Sequence, residues 1–324
     1  MKILLIKTSS LGDVIHTLPA LTDALQHNPH LECDWVIEEN CAEIPLWHRA
    51  IKRVIPIALR RWRKNILPTI QHEELQKFWS TLRAEPYDYI IDAQGLLLKS
   101  GLIALMAVGE RYGYNWSSAR EPLASLCYQH RFQIPKEQHA ITRLRQLFAH
   151  ILNYNPPETQ PNYGIERLHL NNVKIDQKNN KNLLFIHGTS RIDKCWPEES
   201  WIELANLATT VGYTVQLPWG NELEYERATR IAAQVAGVKV LPKMTLSELA
   251  NVMTMAKCAI AVDTGLGHLA AALKVPVISL YGNTDPNLIG TWGKQQIHLK
   301  PASISATFPD ISVEEVWNYI KKIA

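Results

Sequence analysis

The sequence predicts an α/β protein built as two similar units, each a parallel sheet covered by helices. Three observations carry that expectation. The chain has 324 residues, more than one hydrophobic core usually serves, so two domains of about 150 residues are expected. Short apolar, β-rich runs alternate with helical patterns in two separate blocks, and such alternation favours parallel strands joined by crossover helices. Between the blocks, residues 158–182 lose periodicity and accumulate Pro, Asn, Lys and Gln, the composition of a connection.

In the first block, residues 2–6 read as a strand and 7–13 as a polar loop containing Gly12, followed by a helical pattern over 14–26. Pro19 fits the first turns of that helix or kinks it. Residues 34–38, 53–57 and 87–92 read as further strands, the last leading through a Gly-bearing loop into an apolar helix over 98–108. In the second block, strands are expected at 182–187, 213–217, 238–241, 258–262 and 275–281, with helices at 197–211, 222–234 and 245–255. Pro197 suits a helix start. The resulting division is 1–165 for the first domain, 166–311 for the second, and 312–324 for a terminal amphipathic helix whose pattern allows a return to the first domain.

Composition narrows the class. Hydrophobic residues are 46% and charged residues 20% of the chain, with a formal net charge of +3, which fits a soluble globular protein without a domain-wide basic excess. No nucleic-acid motif accompanies that charge, so nucleic acid is not an expected partner. Five cysteines, Cys33, Cys41, Cys127, Cys195 and Cys258, lack metal-ligand spacing and a disulfide framework, as in a reducing compartment. The amino terminus lacks a signal-peptide pattern, and residues 96–108 are too short to span a bilayer. A cytoplasmic protein is therefore expected, and a monomer, since no oligomerisation motif is visible.

In open α/β sheets, ligands gather at loops beyond the carboxyl ends of strands. The loops after Ile6, Ile186, Leu217 and Val262 are therefore the places to search. Asp263, Thr264, Gly265 and His268 lie where a strand turns into a helix. Backbone amides at such a terminus suit a diphosphate, whereas Asp263 suits sugar hydroxyls or a helix cap. In residues 187–196, Lys194 can neutralise a diphosphate while Thr189 and Ser190 donate hydrogen bonds; a solvated loop has the same composition. Neither loop has P-loop spacing. Glu224, after Gly220, can grip paired ribose hydroxyls or simply favour a helix amino terminus. Asp13 is the candidate general base, though its carboxylate would equally serve as a cap. Arg60, Arg61, Arg63 and Lys64 surround Trp62. That patch suits carboxylates and phosphates of an acceptor, or the face of an anionic membrane, and Arg120 is a further candidate contact. The same mixture of arginine and tryptophan also occurs in nucleic-acid sites. The carboxylates form no metal cluster by spacing, so neither a metal nor another cofactor is expected.

Three segments together carry a family resemblance: 7–13 (KTSSLGD), 188–194 (GTSRIDK) and 263–268 (DTGLGH). They resemble the bacterial ADP-heptose glycosyltransferases. The Arg60–Lys64 cluster, the segment Asp92-Ala93-Gln94-Gly95 and the segment Pro218-Trp219-Gly220 resemble the class that adds the first heptose of the lipopolysaccharide inner core. The resemblance covers essentially the whole chain. It implies a GT-B type fold of two Rossmann-like domains facing an interdomain cleft. The donor, ADP-L-glycero-β-D-manno-heptose, would be held by the second domain, and the acceptor, Kdo-lipid A, by the first. The implied donor set is Thr189, Ser190, Lys194, Glu224, Met244, Asp263, Thr264, Gly265 and His268; Met244 enters on resemblance alone. Asp13 takes the acid–base role, transfer inverts the anomeric carbon, and the enzyme visits the cytoplasmic face of the inner membrane. Two alternatives stay open: a related transferase with another core-sugar acceptor, and a noncatalytic nucleotide- or lipid-binding protein.

Overall fold

A computed structural model of the chain describes residues 1–64, 68–168, 170, 180–189, 191–301 and 311–323. The chain forms two compact units, Met1–Leu168 and His169–Ala324. The first is built on six strands, β1 (Lys2–Ile6), β2 (Glu32–Glu38), β3 (Ile51–Ile57), β4 (Tyr87–Asp92), β5 (Gly109–Tyr114) and β6 (His130–Phe132). The second carries β7 (Asn182–Ile186), β8 (Thr214–Leu217), β9 (Val238–Val240), β10 (Cys258–Val262), β11 (Val277–Leu280) and β12 (Gln296–Leu299).

Both sheets are wholly parallel, in the orders β3-β2-β1-β4-β5-β6 and β12-β11-β10-β7-β8-β9. In the first, Leu5 of β1 pairs with Trp35 on one side and Ile91 on the other. Central strands buried on both faces require near-continuous apolar runs, and β1 and β10 supply them. Each sheet reverses direction beside its first strand, between β1 and β4 and between β7 and β10. Loops from the two neighbouring strands therefore diverge there and leave room for a ligand.

The first helix spans Leu11–His27 and runs on through Pro19. It begins three residues before the expected 14, because Ser10 caps it, so Asp13 stands in its first turn instead of in the preceding loop. The expected helix over 98–108 is instead a π-helical turn, Leu97–Gly101, followed by an α-helix, Leu102–Met106. The helix Glu222–Gln234 lies at the expected residues.

Residues up to Leu168 stay with the first unit. Tyr163 and Leu168 are buried, the Arg167 amide donates to the Trp47 carbonyl, and its guanidinium donates to the carbonyl of Ile51. The boundary accordingly falls after 168, not after 165. The terminal helix Val313–Ile323 belongs to the second unit. Its Val313, Val316 and Ile320 are buried in the core of the second unit with Trp201, Leu204 and Leu280, and the Trp196 indole donates to the Ile311 carbonyl just before it. An amphipathic stripe specifies that a face must be covered, not by what, and here the second sheet's own helices cover it.

Candidate active site

In the first unit the loops after β1 and β4 meet at the reversal of strand order. Lys7 leaves β1 buried, and its amine donates to the Ala93 carbonyl at 3.1 Å. The same amine lies 3.7 Å from Oδ1 of Asp13. The Gln94 side-chain oxygen accepts from the amides of Thr8 and Ser9 at 3.2 and 3.3 Å. Asp92 shapes the second loop: one carboxylate oxygen accepts from the amides of Gln94 and Gly95, the other from the Tyr128 hydroxyl at 2.5 Å. Burial pushes the Asp92 carboxyl up against those four-way stabilising donors, which include Tyr128, Gly95, Ser100 and Gln94. Gly95 takes φ +68°, a conformation that favours glycine.

Asp13 is 32% exposed. Its Oδ2 accepts from both the amide (2.8 Å) and the hydroxyl (2.9 Å) of Ser10. It is therefore a helix cap as well as the candidate base, and Oδ1 is the oxygen left to face a substrate. Burial raises its pKa, but the Lys7 ammonium, the two Ser10 donors and the Arg120 guanidinium outweigh that and hold the carboxyl below the usual carboxylate range. Arg120 is exposed and acts on Asp13 through its charge.

The basic cluster lies on the short helix Leu59–Lys64. Arg60 is exposed, with its amide bonded to Glu38 at 2.8 Å, and Arg63 is exposed. Arg61 is engaged within the unit, 3.1 Å from both Glu39 and Glu74, and the Trp62 indole donates to Glu74 at 2.7 Å. One of the expected acceptor cations is thus already paired, because carboxylates from two other elements converge on it. The side chain of Lys64 and all of Ser190 lie outside the described residues. A cavity of about 230 Å³ opens beside the cluster, between Ile57, Trp62 and Phe78.

In the second unit, Thr189 follows β7 and Asp263 follows β10 across the reversal of strand order. The Thr189 hydroxyl donates to the Asp263 carbonyl at 3.0 Å. Lys194 pairs with Oδ2 of the buried Asp263 at 2.5 Å. The cation expected to face a diphosphate is thus held by the carboxylate expected to face hydroxyls, leaving Oδ1 of Asp263 outside that pair. Thr264 stands at the N-cap of the helix Gly265–Ala272, which carries the buried His268 in its opening turns. The Gly267 amide already donates to the Thr264 carbonyl at 3.1 Å, and the amides of Gly265 and Leu266 before it stand at the positive end of the helix dipole.

Glu224 lies in the first turn of the helix Glu222–Gln234, after β8. Its Oε2 accepts from the Gly220 amide at 2.7 Å. A Cβ on Gly188 would sit 2.5 Å from the Glu224 carboxyl carbon, so a glycine after β7 is what admits this side chain. Met244 is half-buried in the loop after β9. It precedes Thr245, which with Glu248 forms a capping box on the next helix. The Trp219 indole donates to the Leu241 carbonyl at 2.7 Å and ties the β8 and β9 loops together.

The second unit therefore gathers donor candidates from four strand ends, and the first places Asp13 beside Lys7. Lys7, Asp92, Gln94 and Gly188 were not marked as site residues by the sequence. A lysine closing an apolar strand was the available signal for Lys7; the other three act through partners remote in sequence. Among the described residues, no three His, Cys, Asp or Glu side chains gather into a possible metal-binding group, and no helix is long and apolar enough to cross a membrane.

Residues 75–315 match the family model described as glycosyltransferase family 9 (heptosyltransferase). Lipopolysaccharide heptosyltransferase 1 of Escherichia coli K12 is 50% identical over 297 residues, covering 92% of each chain. Two solved structures are similar over the full length of both chains: the E. coli heptosyltransferase WaaC with ADP, at 45% identity and a TM-score of 0.91, and the same enzyme with ADP-2-deoxy-2-fluoro heptose, at 44% and 0.89.

Proposed function

Because this chain belongs to glycosyltransferase family 9, the heptosyltransferases, we propose that it transfers heptose from ADP-L-glycero-β-D-manno-heptose to a Kdo hydroxyl of Kdo-lipid A. The coarser activity, heptosyl transfer from ADP-heptose to a lipopolysaccharide core acceptor, is that of a heptosyltransferase I homologue with a GT-B type fold of two Rossmann-like domains. The observation that supports the donor half of this reading is the meeting of Thr189, Lys194 and Asp263 beside the amide end of the helix Gly265–Ala272. A hydroxyl donor, a cation and a helix amino terminus suit a nucleoside diphosphate that must leave with its charge.

In the proposed reaction the acceptor oxygen attacks the anomeric carbon as the bond from that carbon to ADP breaks, and configuration inverts. Oδ1 of Asp13 takes the hydroxyl proton. A carboxyl held low is ionised at neutral pH, the state a base must have at the start of the step. Lys194, released in part from Asp263 by the incoming diphosphate, and the amides near Gly265 stabilise charge on the departing ADP. Preorganised donors of this type are worth about 3 kcal/mol each when aligned. They fill the role a divalent cation would otherwise take, so transfer is expected to continue in the presence of a chelator. Glu224 and Met244 complete the donor set at ribose and adenine, and His268 assists at phosphate. Arg60, Arg63 and Arg120 meet the anionic acceptor at the cytoplasmic face of the inner membrane, and the enzyme acts as a monomer.

Purified protein incubated with ADP-heptose and Kdo-lipid A is expected to add one heptose to the acceptor, read as acceptor mass. Asp13→Ala is expected to cost about 10²–10⁴-fold in turnover, the range for a lost general base. Comparable turnover by that variant would remove Asp13 from the chemistry. No mass increment, with both substrates demonstrably bound, would overturn the function.

A further inference from the structure

The π-helical turn Leu97–Gly101 and the helix Leu102–Met106 carry large apolar side chains on both faces, interrupted by Lys99 and Ser100. Their inner face, with Ile103, Ala104 and Ala107, joins the core of the first unit together with Ala124 and Cys127 of the neighbouring 3₁₀ turn Pro122–Cys127. The two segments lie side by side because Gly101 has no Cβ; one there would stand 2.9 Å from the Cys127 sulfur. Their outer faces carry Leu98, Leu102 and Leu105, followed by Val108, and Leu123 and Leu126. All six are exposed, Leu98 to 71% and Leu126 to 62%. Leu98, Leu102 and Leu105 recur every three or four residues, and Leu123 and Leu126 are three apart, so each set forms a stripe. Six contiguous large apolar side chains in water mark a binding surface.

The rim has a sign. The Arg83 guanidinium donates to the Met106 carbonyl and that of Arg111 to the Cys127 carbonyl, placing a cation at the end of each segment. Lys99 lies within the leucine stripe, and Arg120 precedes the 3₁₀ turn. The carboxylate there, Glu121, is turned onto the backbone and accepts from the Leu97 amide at 2.7 Å. Glu110 pairs with Tyr112 and His130 on the opposite face of β5 from Arg111.

We propose that this leucine surface seats the first unit on an anionic phospholipid bilayer, with the side chains in the acyl boundary and the cations at lipid phosphates. Interfacial segments of this type combine buried apolar area with electrostatic attraction. A second copy of the chain fits less well, because a two-fold contact would set this cationic rim against itself. The patch is also continuous with the candidate site. The amide of Glu121 bonds to the Gly95 carbonyl, and the residues before Gly95 hold Lys7, Thr8 and Ser9 in place. The inference rests on the reading of a lipid-anchored acceptor: a surface that docks beside Asp13 brings the base to the level of lipid headgroups.

The test compares wild type with Leu98→Gln/Leu102→Gln/Leu126→Gln. Co-sedimentation uses vesicles of phosphatidylethanolamine and phosphatidylglycerol, and of phosphatidylcholine alone. Wild type is expected to bind the anionic vesicles more tightly, in a salt-sensitive manner, and the variant at least about tenfold more weakly, since each leucine withdrawn from hydrocarbon forfeits about that factor. Transfer to a delipidated, water-soluble Kdo acceptor is expected to be unchanged, which also reports correct folding, while transfer to Kdo-lipid A in vesicles falls. Equal vesicle binding by both proteins overturns the proposal. So does a wild-type dimer that the substitutions dissociate while vesicle binding persists. Vesicle binding lost in the variant with no transfer by either protein to any acceptor would overturn the functional reading and leave the docking surface standing.

Discussion

Burial alone would push the Asp13 carboxyl up, and the opposing pull comes from named groups: the Lys7 ammonium, the amide and hydroxyl of Ser10, and Arg120. Lys7 can be removed without touching a candidate substrate contact. In Lys7→Met, burial meets less opposition, and the Asp13 pKa rises. A general base works only when ionised, so turnover falls as pH drops through that pKa. The acid limb of the turnover–pH profile therefore moves to higher pH in Lys7→Met, with activity recovered on the alkaline side. An acid limb that stays in place, with activity uniformly reduced, would make Lys7 a packing residue only. Asp13 was legible in the sequence because a carboxylate just beyond an apolar strand is a marked position. Lys7 was legible only as a lysine closing an apolar strand; its role depends on an Ala93 carbonyl that the fold brings to it from beyond β4. The pairing of Lys194 with Asp263 was hidden for the same reason: each charge was visible, but not that they neutralise one another.

At the level of elements, the donor loops are defined by how closely they approach one another. Gly188 after β7 and Glu224 after β8 share a space that holds only one side chain. In Gly188→Ala the new Cβ displaces the flexible carboxylate, breaking its bond to the Gly220 amide. Stability should change by less than about 1 kcal/mol, since the end of a mobile side chain can move aside. The donor KM should rise about as much as in Glu224→Ala, and the double variant should be no worse than either single one. Additive losses, measured with ADP-heptose as the varied substrate, would show that Gly188 acts independently of Glu224. The strands that frame these loops were readable because β7, β8 and β10 are apolar and bounded by polar turns. The edge strands β6 and β12, of sequences HRF and QIHL, were missed. An edge strand buries one flank only and needs no apolar run. β5 was missed too: it opens on Gly109 and reads GERYGY, with little of its burial declared by residue type.

At the scale of the molecule, each unit has its own six-stranded sheet and its own hydrophobic core, one including Leu4, Ile6, Phe78 and Ile90, the other Leu183, Phe185, Trp201 and Ile260. All described donor candidates lie in the second unit and Asp13 lies in the first. Ligand linkage then gives a whole-molecule expectation. Two cores of similar size can unfold as two calorimetric transitions, and a ligand that binds one folded unit raises only that unit's transition. ADP at one hundred times its dissociation constant adds about 2.7 kcal/mol to the unit that holds it, an upward shift of about 5–10 °C for a domain of roughly 150 residues. Scanning calorimetry with and without ADP is expected to move one transition and leave the other in place. Lys194→Ala should lose most of the shift, whereas Asp13→Ala should keep it, because removing the base leaves the donor loops intact. A single transition that ADP moves as a whole would show that the two cores unfold together. Loss of the shift in Asp13→Ala would mean that ADP binding is not confined to the loops after β7, β8, β9 and β10.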